Sequence, residues 1–373
     1  MLIKKSEFDG VTGVGRVQLE LKPDQRVYTF IGENGIGKTK TLEALFQVLF
    51  FTNSLVDKSL IGVERVYFKF KKYEEDSFSI IRGEDSSPNY MNIKKIFTDI
   101  KHQTPVLFLG SQTRGFIKSE SRRTYELFGD LEKRRSEYIS SIVKKMENSF
   151  SNMNMDSDIE QWFVTLAQSS NPYQKKEDNR GLEIETITNI LNEIDKRIDP
   201  DFLEISGNGR VTIKIEGQKR ELSHLSSGFS SIIKLIQAIV SGYGFFTNEI
   251  NIRHVKGIVL IDEIESHLHL KWQANIIPLL KNIFPNTVFY ITTHSSVVLS
   301  QLKDGEAYKM YRDSSGIVKT KKIQSPNNSA FIDILNDVFQ IDLNKKKLDN
   351  VDANEQQDAK KNLLELLKKQ GKK

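Results

Sequence analysis

Apolar periodicity predicts short strands near residues 2–8, 14–21 and 26–31, followed by a helical pattern from Leu42 to Phe50. Two further strands, Val63 to Lys71 and Ser77 to Arg82, read as an antiparallel pair joined through Lys72-Tyr73-Glu74-Glu75-Asp76, and Pro105 to Leu109 reads as a buried core strand. From Ser119 to Ile198 the texture turns helical. Leu131, Tyr138, Ile142, Met146 and Phe150 recur at helical spacing, as do Ile184, Ile187, Leu191, Ile194 and Ile198. Polar stretches at Ser151 to Asp158 and Asn171 to Gly181 interrupt them, and no heptad register survives three repeats, so the region predicts an inserted helical lobe rather than a long coiled coil. A hairpin is expected from Phe202 to Ser206 and Val211 to Glu216 around Gly207-Asn208-Gly209, then a helix from about Ser227 to Gly242. Strand, helix and strand alternate at Gly257 to Ile261, His269 to Phe284 and Thr287 to Ile291, which implies parallel pairing with right-handed crossovers. A short strand pair, a helix from Ala330 to Phe339 and an amphipathic end with Leu363, Leu366 and Leu367 close the chain.

A length of 373 residues favours one large α/β unit carrying an inserted or appended lobe. The absence of cysteine excludes a disulfide framework, Cys-ligated zinc and thiol catalysis. No stretch approaches the run of about 18 apolar residues that spans a bilayer, and Met1 to Lys5 leads into polar sequence without a signal-peptide core, so a cytoplasmic protein with no membrane partner is expected. Net charge is +5, and the segment Lys345 to Lys373 holds nine Lys against five Asp or Glu. The body is therefore near neutral and lacks the footprint of a basic nucleic-acid-binding domain. The tail reads as a solvated end or a phosphate or partner contact.

Gly32-Glu33-Asn34-Gly35-Ile36-Gly37-Lys38-Thr39 forms a complete G-x-x-x-x-G-K-[ST] loop between an apolar strand and a helix, the pattern of a nucleoside triphosphate site. Glycines let backbone N–H groups turn toward phosphate oxygens, and the positive end of the next helix stabilises their charge. The expected nucleotide-binding set runs through Lys40, with Lys38 on the β- and γ-phosphates and Thr39 on Mg²⁺. Ile258-Val259-Leu260-Ile261-Asp262-Glu263 delivers two acids at a strand end, where ligands of such sheets sit. Asp262 is the expected Mg²⁺ residue, and Glu263 would polarise the attacking water. His294, after the strand Val288 to Ile291, would sense the γ-phosphate. Leu225-Ser226-Ser227-Gly228-Phe229 precedes an apolar helix; Ser226 is either an N-cap or part of a second phosphate site that serves another subunit.

In order, the phosphate loop, the Leu-Ser-x-Gly segment, the apolar-Asp-Glu strand and Thr293-His294-Ser295 resemble an ABC-type ATPase over roughly 1–118 and 200–310. The Gly-Glu-Asn-Gly loop, the run Asp262 to His269 and the helical insertion look like the soluble SMC/RecF/OLD-like branch. The resemblance implies an α/β P-loop NTPase with a mixed sheet, an antiparallel β subregion and an inserted helical lobe. It implies Lys38, Glu263 and His294 as catalytic residues, Ser226 and Gly228 acting across to the partner's nucleotide, and ATP and Mg²⁺ as cofactors. Gln112 is the candidate for the glutamine loop that touches Mg²⁺ and water, with Ser111 and Arg114 as competitors. Phe229 and His269 depart from the usual pattern at interface positions.

The expected domains are 1–118 and 200–312 for the two parts of the ATPase, 119–199 for the lobe and 313–373 for a C-terminal extension. The resemblance implies a head-to-tail homodimer, with higher oligomers open, that closes on ATP and reopens on hydrolysis. Small size and a compact insertion look similar to ATPase components of bacterial anti-phage systems such as the Septu and PARIS types, which implies a sensor, scaffold or regulator beside a separate nuclease or toxin. A RecF-like DNA-repair ATPase that binds nucleic acid and a transporter nucleotide-binding subunit are the alternatives.

Overall fold

The structure, a computed structural model, describes residues 5–57, 65–75, 78–81, 90–92, 101–115, 117, 130–170, 173, 175, 179, 181–249, 251–330, 333–339 and 342. Among them the strands are β1 (Lys5–Val11), β2 (Gly15–Glu20), β3 (Val27–Ile31), β4 (Arg65–Tyr67), β5 (Lys72–Glu75), β6 (Phe78–Ile81), β7 (Tyr90–Asn92), β8 (Val106–Leu109), β9 (Ile198–Ile205), β10 (Val211–Ile215), β11 (Gln218–Glu221), β12 (Ile258–Ile261), β13 (Val288–Thr292), β14 (Ala307–Arg312) and β15 (Val318–Lys322). The helices are α1 (Lys38–Phe51), α2 (Ser54–Asp57), α3 (Leu131–Asn148), α4 (Ile159–Gln168), α5 (Gly181–Ile194), α6 (Ser227–Gly244), α7 (Leu270–Gln273), α8 (Ile276–Ile283) and α9 (Ser296–Leu299).

Among the described residues ten strands make the main sheet, in the order β6-β5-β1-β2-β15-β14-β3-β13-β12-β8. From β14 to β8 every neighbour pairs in parallel, while β1, β2, β5 and β6 form an antiparallel arm. The residue pattern explains the split. Every residue of β3, β8 and β12 is buried, as parallel strands covered on both faces require, whereas β1 alternates buried and accessible positions. Helix α1 is buried from Thr41 to Phe51, with Phe46 against Phe50, Phe108 and Phe150. Its one amide inside this apolar contact, Gln47, is satisfied by donating to Tyr67 O at 2.6 Å and accepting from Lys69 N–H at 2.8 Å. Helix α6 approaches β8 so closely that a Cβ on Gly242 would lie 2.5 Å from Leu107 Cδ1.

Helices α3, α4 and α5 lie between β8 and β9, and the first two open on aspartate caps: Asp130 accepts from Lys133 N–H at 2.9 Å and Asp158 from Gln161 N–H at 3.0 Å. The expected hairpin is present as β9 and β10, and β11 extends it to three strands.

Other expectations fail for physical reasons. The supposed turn 72–76 contains β5, because Tyr73 is fully buried between accessible neighbours and pairs opposite Phe8; β5 pairs with β1 and β6, and β4 pairs with β7. The helix expected over 269–284 breaks into α7 and α8 around Ala274 and Asn275. Pro278 has no N–H for a helical bond, and its ring would meet the carbonyl four residues back, so a continuous helix is excluded while a first-turn position in α8 is tolerated. The 313 boundary falls within the β14–β15 hairpin, both strands of which belong to the main sheet.

The chain divides into two compact units, 1–327 and 328–373. In the second, residues Ile334–Val338 form a π-helical turn. The Lys-rich tail, Leu363, Leu366 and Leu367 lie outside the described residues. Among the described residues no helix is long and apolar enough to cross a membrane.

Candidate active site

The register of the parallel strands brings the candidate residues to one edge. Ile261 stands opposite Leu109 on one side and Ile291 on the other, and Thr292 stands opposite Phe30. The segments that begin at Gly32, Gly110, Asp262 and Thr293 therefore leave the sheet side by side at its C-terminal edge, where open α/β sheets bind ligands.

The 32–37 loop is held by two close approaches. A Cβ on Gly32 would lie 2.7 Å from the backbone oxygen of Met310, and one on Gly37 would lie 2.6 Å from Val14 Cγ2. Gly37 caps α1 at φ 107°, a backbone that L side chains rarely adopt. The Lys38 ammonium donates to Gly32 O at 2.8 Å and Glu33 O at 2.9 Å. Burial pulls its pKa below the ordinary value against the opposing pull of Glu263, Glu265 and Asp262, so an arriving phosphate would favour the charged form.

Asp262 is 2% exposed, and its Oδ1 accepts from Thr39 Oγ1 at 2.8 Å and Thr292 Oγ1 at 2.7 Å. The phosphate-loop helix is thus tied to β12 across the intervening β13. Thr292 Oγ1 also accepts from Glu263 N–H at 2.8 Å. Glu263 has φ 45°, the left-handed region, and its Oε2 accepts from Ser266 Oγ at 3.3 Å. Glu265 accepts from Thr293 Oγ1 and from His294 N–H, both at 2.6 Å, so the His294 backbone is anchored to the acidic turn while its imidazole is exposed.

Oxygen donors from Thr39 and Asp262 suit Mg²⁺, a hard cation that takes one or two protein ligands together with phosphate and water. The convergence of these two side chains fits the ion the sequence implies. Among the described residues no cluster of three or more His, Asp or Glu could hold a metal unaided.

Other candidates lie elsewhere around the edge. Ser226 caps α6, accepting from Phe229 N–H at 3.4 Å, and Gly228 packs beneath the 267–272 turn, where a Cβ would meet His269 Cδ2 at 3.1 Å. Gln112 donates its backbone N–H to Ser151 O at 2.9 Å, with its side chain exposed. Lys40 pairs with Glu43 at 3.0 Å, and burial raises the pKa of Glu43.

Sequence reasoning missed Thr292, Glu265 and Lys234, and it named Arg114 only as a rival for the glutamine loop. Arg114 is wholly buried, and its guanidinium donates to Leu109 O at 3.0 Å, Asp262 O at 2.7 Å and Glu263 O at 2.8 Å. No pattern marks such a residue, since a cation bound to main-chain carbonyls looks in sequence like a solvated one. A groove of about 510 Å³ on the antiparallel arm, lined by Glu7, Glu74 and Lys319 among others, is a weaker site. Those three charges are bridged by Arg16, Lys72 and Asp313.

A family model described as "AAA domain, putative AbiEii toxin, Type IV TA system" matches residues 27–300, most of the chain and all of this edge. Among curated proteins, the chain is 28% identical to Septu protein PtuA of Bacillus mycoides (strain KBAB4) over 74% of its own length and 35% of that protein. It is 22% identical to Septu protein PtuA of Bacillus thuringiensis over 92% of its length and 85% of that protein. A third relative, named "Retron Vc95 probable ATPase" of Vibrio cholerae serotype O1 biovar El Tor, is 32% identical over 36% of this chain and 27% of that one. The chain thus spans about a third of the first relative and most of the second. Among solved structures, an SMC head bound to the C-terminal winged-helix domain of ScpA aligns over 87% of this chain and 98% of its own at TM-score 0.46 and 14% identity. The match across residues 27–300 shows that the chain belongs to this family of AAA-domain ATPases.

Proposed function

We propose that the protein is a Mg²⁺-dependent ATPase that closes head-to-tail with a second copy on ATP and acts as sensor or regulator for a separate nuclease or toxin in anti-phage defence. The observation that carries the chemistry is the Thr39–Asp262–Thr292 bridge, which fixes Glu263 one residue beyond the metal-binding carboxylate. Lys38 would hold the β- and γ-phosphates, and Thr39 and Asp262 would hold Mg²⁺, which would supply positive charge to the phosphate oxygens. Glu263 takes the proton of the attacking water as its oxygen bonds to the γ-phosphorus and ADP leaves. His294, anchored through Glu265, contacts the γ-phosphate.

Dimer closure is supported by the placement of exposed Ser226 at the N-terminus of α6, two residues before Gly228, which packs against His269. Such a helix end offers backbone N–H groups to a partner's phosphate. The defence role is supported by similarity to proteins named for Septu and retron systems. The test is size-exclusion chromatography with ATP: Glu263→Gln should accumulate an ATP-bound dimer, and Lys38→Ala should remain monomeric without nucleotide. Wild-type hydrolysis by Glu263→Gln would remove the base assignment, and a monomer at saturating ATP would remove closure. Co-purification with products of adjacent genes tests the partner.

A further inference from the structure

The chemistry proposed for Glu263 depends on a strained piece of backbone. Asp262 and Glu263 lie just past the last paired residue of β12, so their carbonyls have left the ladder. Glu263 is at φ 45° and His267 at φ 64°, conformations that cost a non-glycine residue on the order of 1–3 kcal/mol and persist only when the surroundings fix them.

Thr292 holds the Glu263 N–H, and a second side chain holds the carbonyls. Arg114 reaches the last carbonyl of β8 and the two carbonyls of the acidic pair, Leu109 O, Asp262 O and Glu263 O. Burial lowers its pKa to about 10, with Asp262, Glu265 and Glu263 opposing the shift, so the guanidinium stays charged at neutral pH. Next to it Gly115 has no room for a side chain: a Cβ would lie 2.7 Å from His267 Nδ1, so the 263–267 turn packs directly against residues 114 and 115.

The same segment is fastened at its other end. Lys234 of α6, also buried, donates to Thr113 O at 2.8 Å and Met155 O at 3.0 Å. Gly110 N–H and Gln112 N–H donate to Met153 O and Ser151 O, and Thr113 Oγ1 donates to Met155 O. Residues 110–115 therefore bind the 151–155 strip, helix α6 and the Glu263 turn at once.

The geometry points to Arg114 as a positioning residue of the ATPase reaction, orienting the Glu263 carboxylate by gripping the main chain that carries it. The inference rests on the reading of Glu263 as base. A planar fork fitted to carbonyls in different directions is not reproduced by an ammonium, so lysine should restore only part of the function. Displacement of a reacting group by about 1 Å costs on the order of 100-fold in rate.

The test compares Arg114→Met and Arg114→Lys in the full chain, alone and with Glu263→Gln, by steady-state ATPase assay, ATP binding and thermal unfolding. Arg114→Met should lower kcat at least 30-fold and Arg114→Lys about tenfold, with the KM for ATP within threefold of wild type. In the Glu263→Gln background, either change should alter the residual rate less than threefold, because the positioned group is already gone. Wild-type kcat in Arg114→Met, or an equal loss in both backgrounds, overturns the inference and leaves the base assignment standing. If Arg114→Met fails to fold, the lysine variant carries the same comparison. Wild-type hydrolysis by Glu263→Gln alone overturns the base assignment first, and the inference with it.

Discussion

Thr292→Val isolates the hydroxyl that joins the proposed metal-binding acid to the proposed base. Valine preserves the shape of this side chain, which is 1% exposed, and removes both of its bonds: the one donated to Asp262 Oδ1 at 2.7 Å and the one accepted from Glu263 N–H at 2.8 Å. A hydrogen bond to a charged group contributes about 1.5–3 kcal/mol, and a buried N–H left without its acceptor costs about 1–3 kcal/mol. Asp262 keeps its bond from Thr39, so part of the first loss is recovered, and a net cost of about 3 kcal/mol follows. At about 2.1 cal/mol/K per residue, a unit of residues 1–327 unfolds with an entropy near 0.7 kcal/mol/K, so Tm should fall by about 4 °C. Lys38 is untouched, which predicts ATP affinity within about threefold of wild type and a kcat reduced at least tenfold. Differential scanning fluorimetry, isothermal titration with ATP in Mg²⁺ and a phosphate-release assay read these quantities. Thr292→Ser should recover most of both losses. A Tm within 1 °C of wild type with an unchanged kcat would refute the claim that this hydroxyl organises the site.

Gly37→Ala should abolish measurable ATP binding, because the new methyl meets the stiff, branched Val14 and the backbone sits at φ 107°; wild-type affinity in a titration would contradict this. Glu43→Gln reports on pH. Burial raises the Glu43 pKa above 4.5, so its folded state prefers the protonated acid, and stability present below the unfolded pKa is lost as pH rises through the folded one. Wild type should therefore lose ground to Glu43→Gln in urea midpoints measured from pH 4 to pH 8; a constant difference between the two would contradict the assignment.

The phosphate loop, the acidic strand end and the histidine turn were legible because each joins an apolar strand to a chemically distinctive edge. The register does the rest, aligning Ile261 with Leu109 and Ile291 without any signal that a reader of the chain could see. Local pattern failed where one buried aromatic decides the outcome, as Tyr73 does for β5, and where a single ring breaks a helix, as Pro278 does between α7 and α8. It failed most at Arg114 and Lys234, whose bonded partners are main-chain carbonyls brought together by the fold. Their residue types alone suggest a surface.

The place of β15 carries a consequence for how the polypeptide folds. This strand lies between β2 and β14 and joins the antiparallel arm to the parallel block, with Val318 opposite Val17 and the Glu20 N–H donating to a hydroxyl 300 residues away. Contacts so distant along the chain close late and slowly. A ribosome that has delivered residues 1–312 has supplied the strands on both sides of the gap without the one that fills it. Until then β2 and β14 each present an open edge able to pair with another molecule, a period in which a nascent chain is exposed to misassembly.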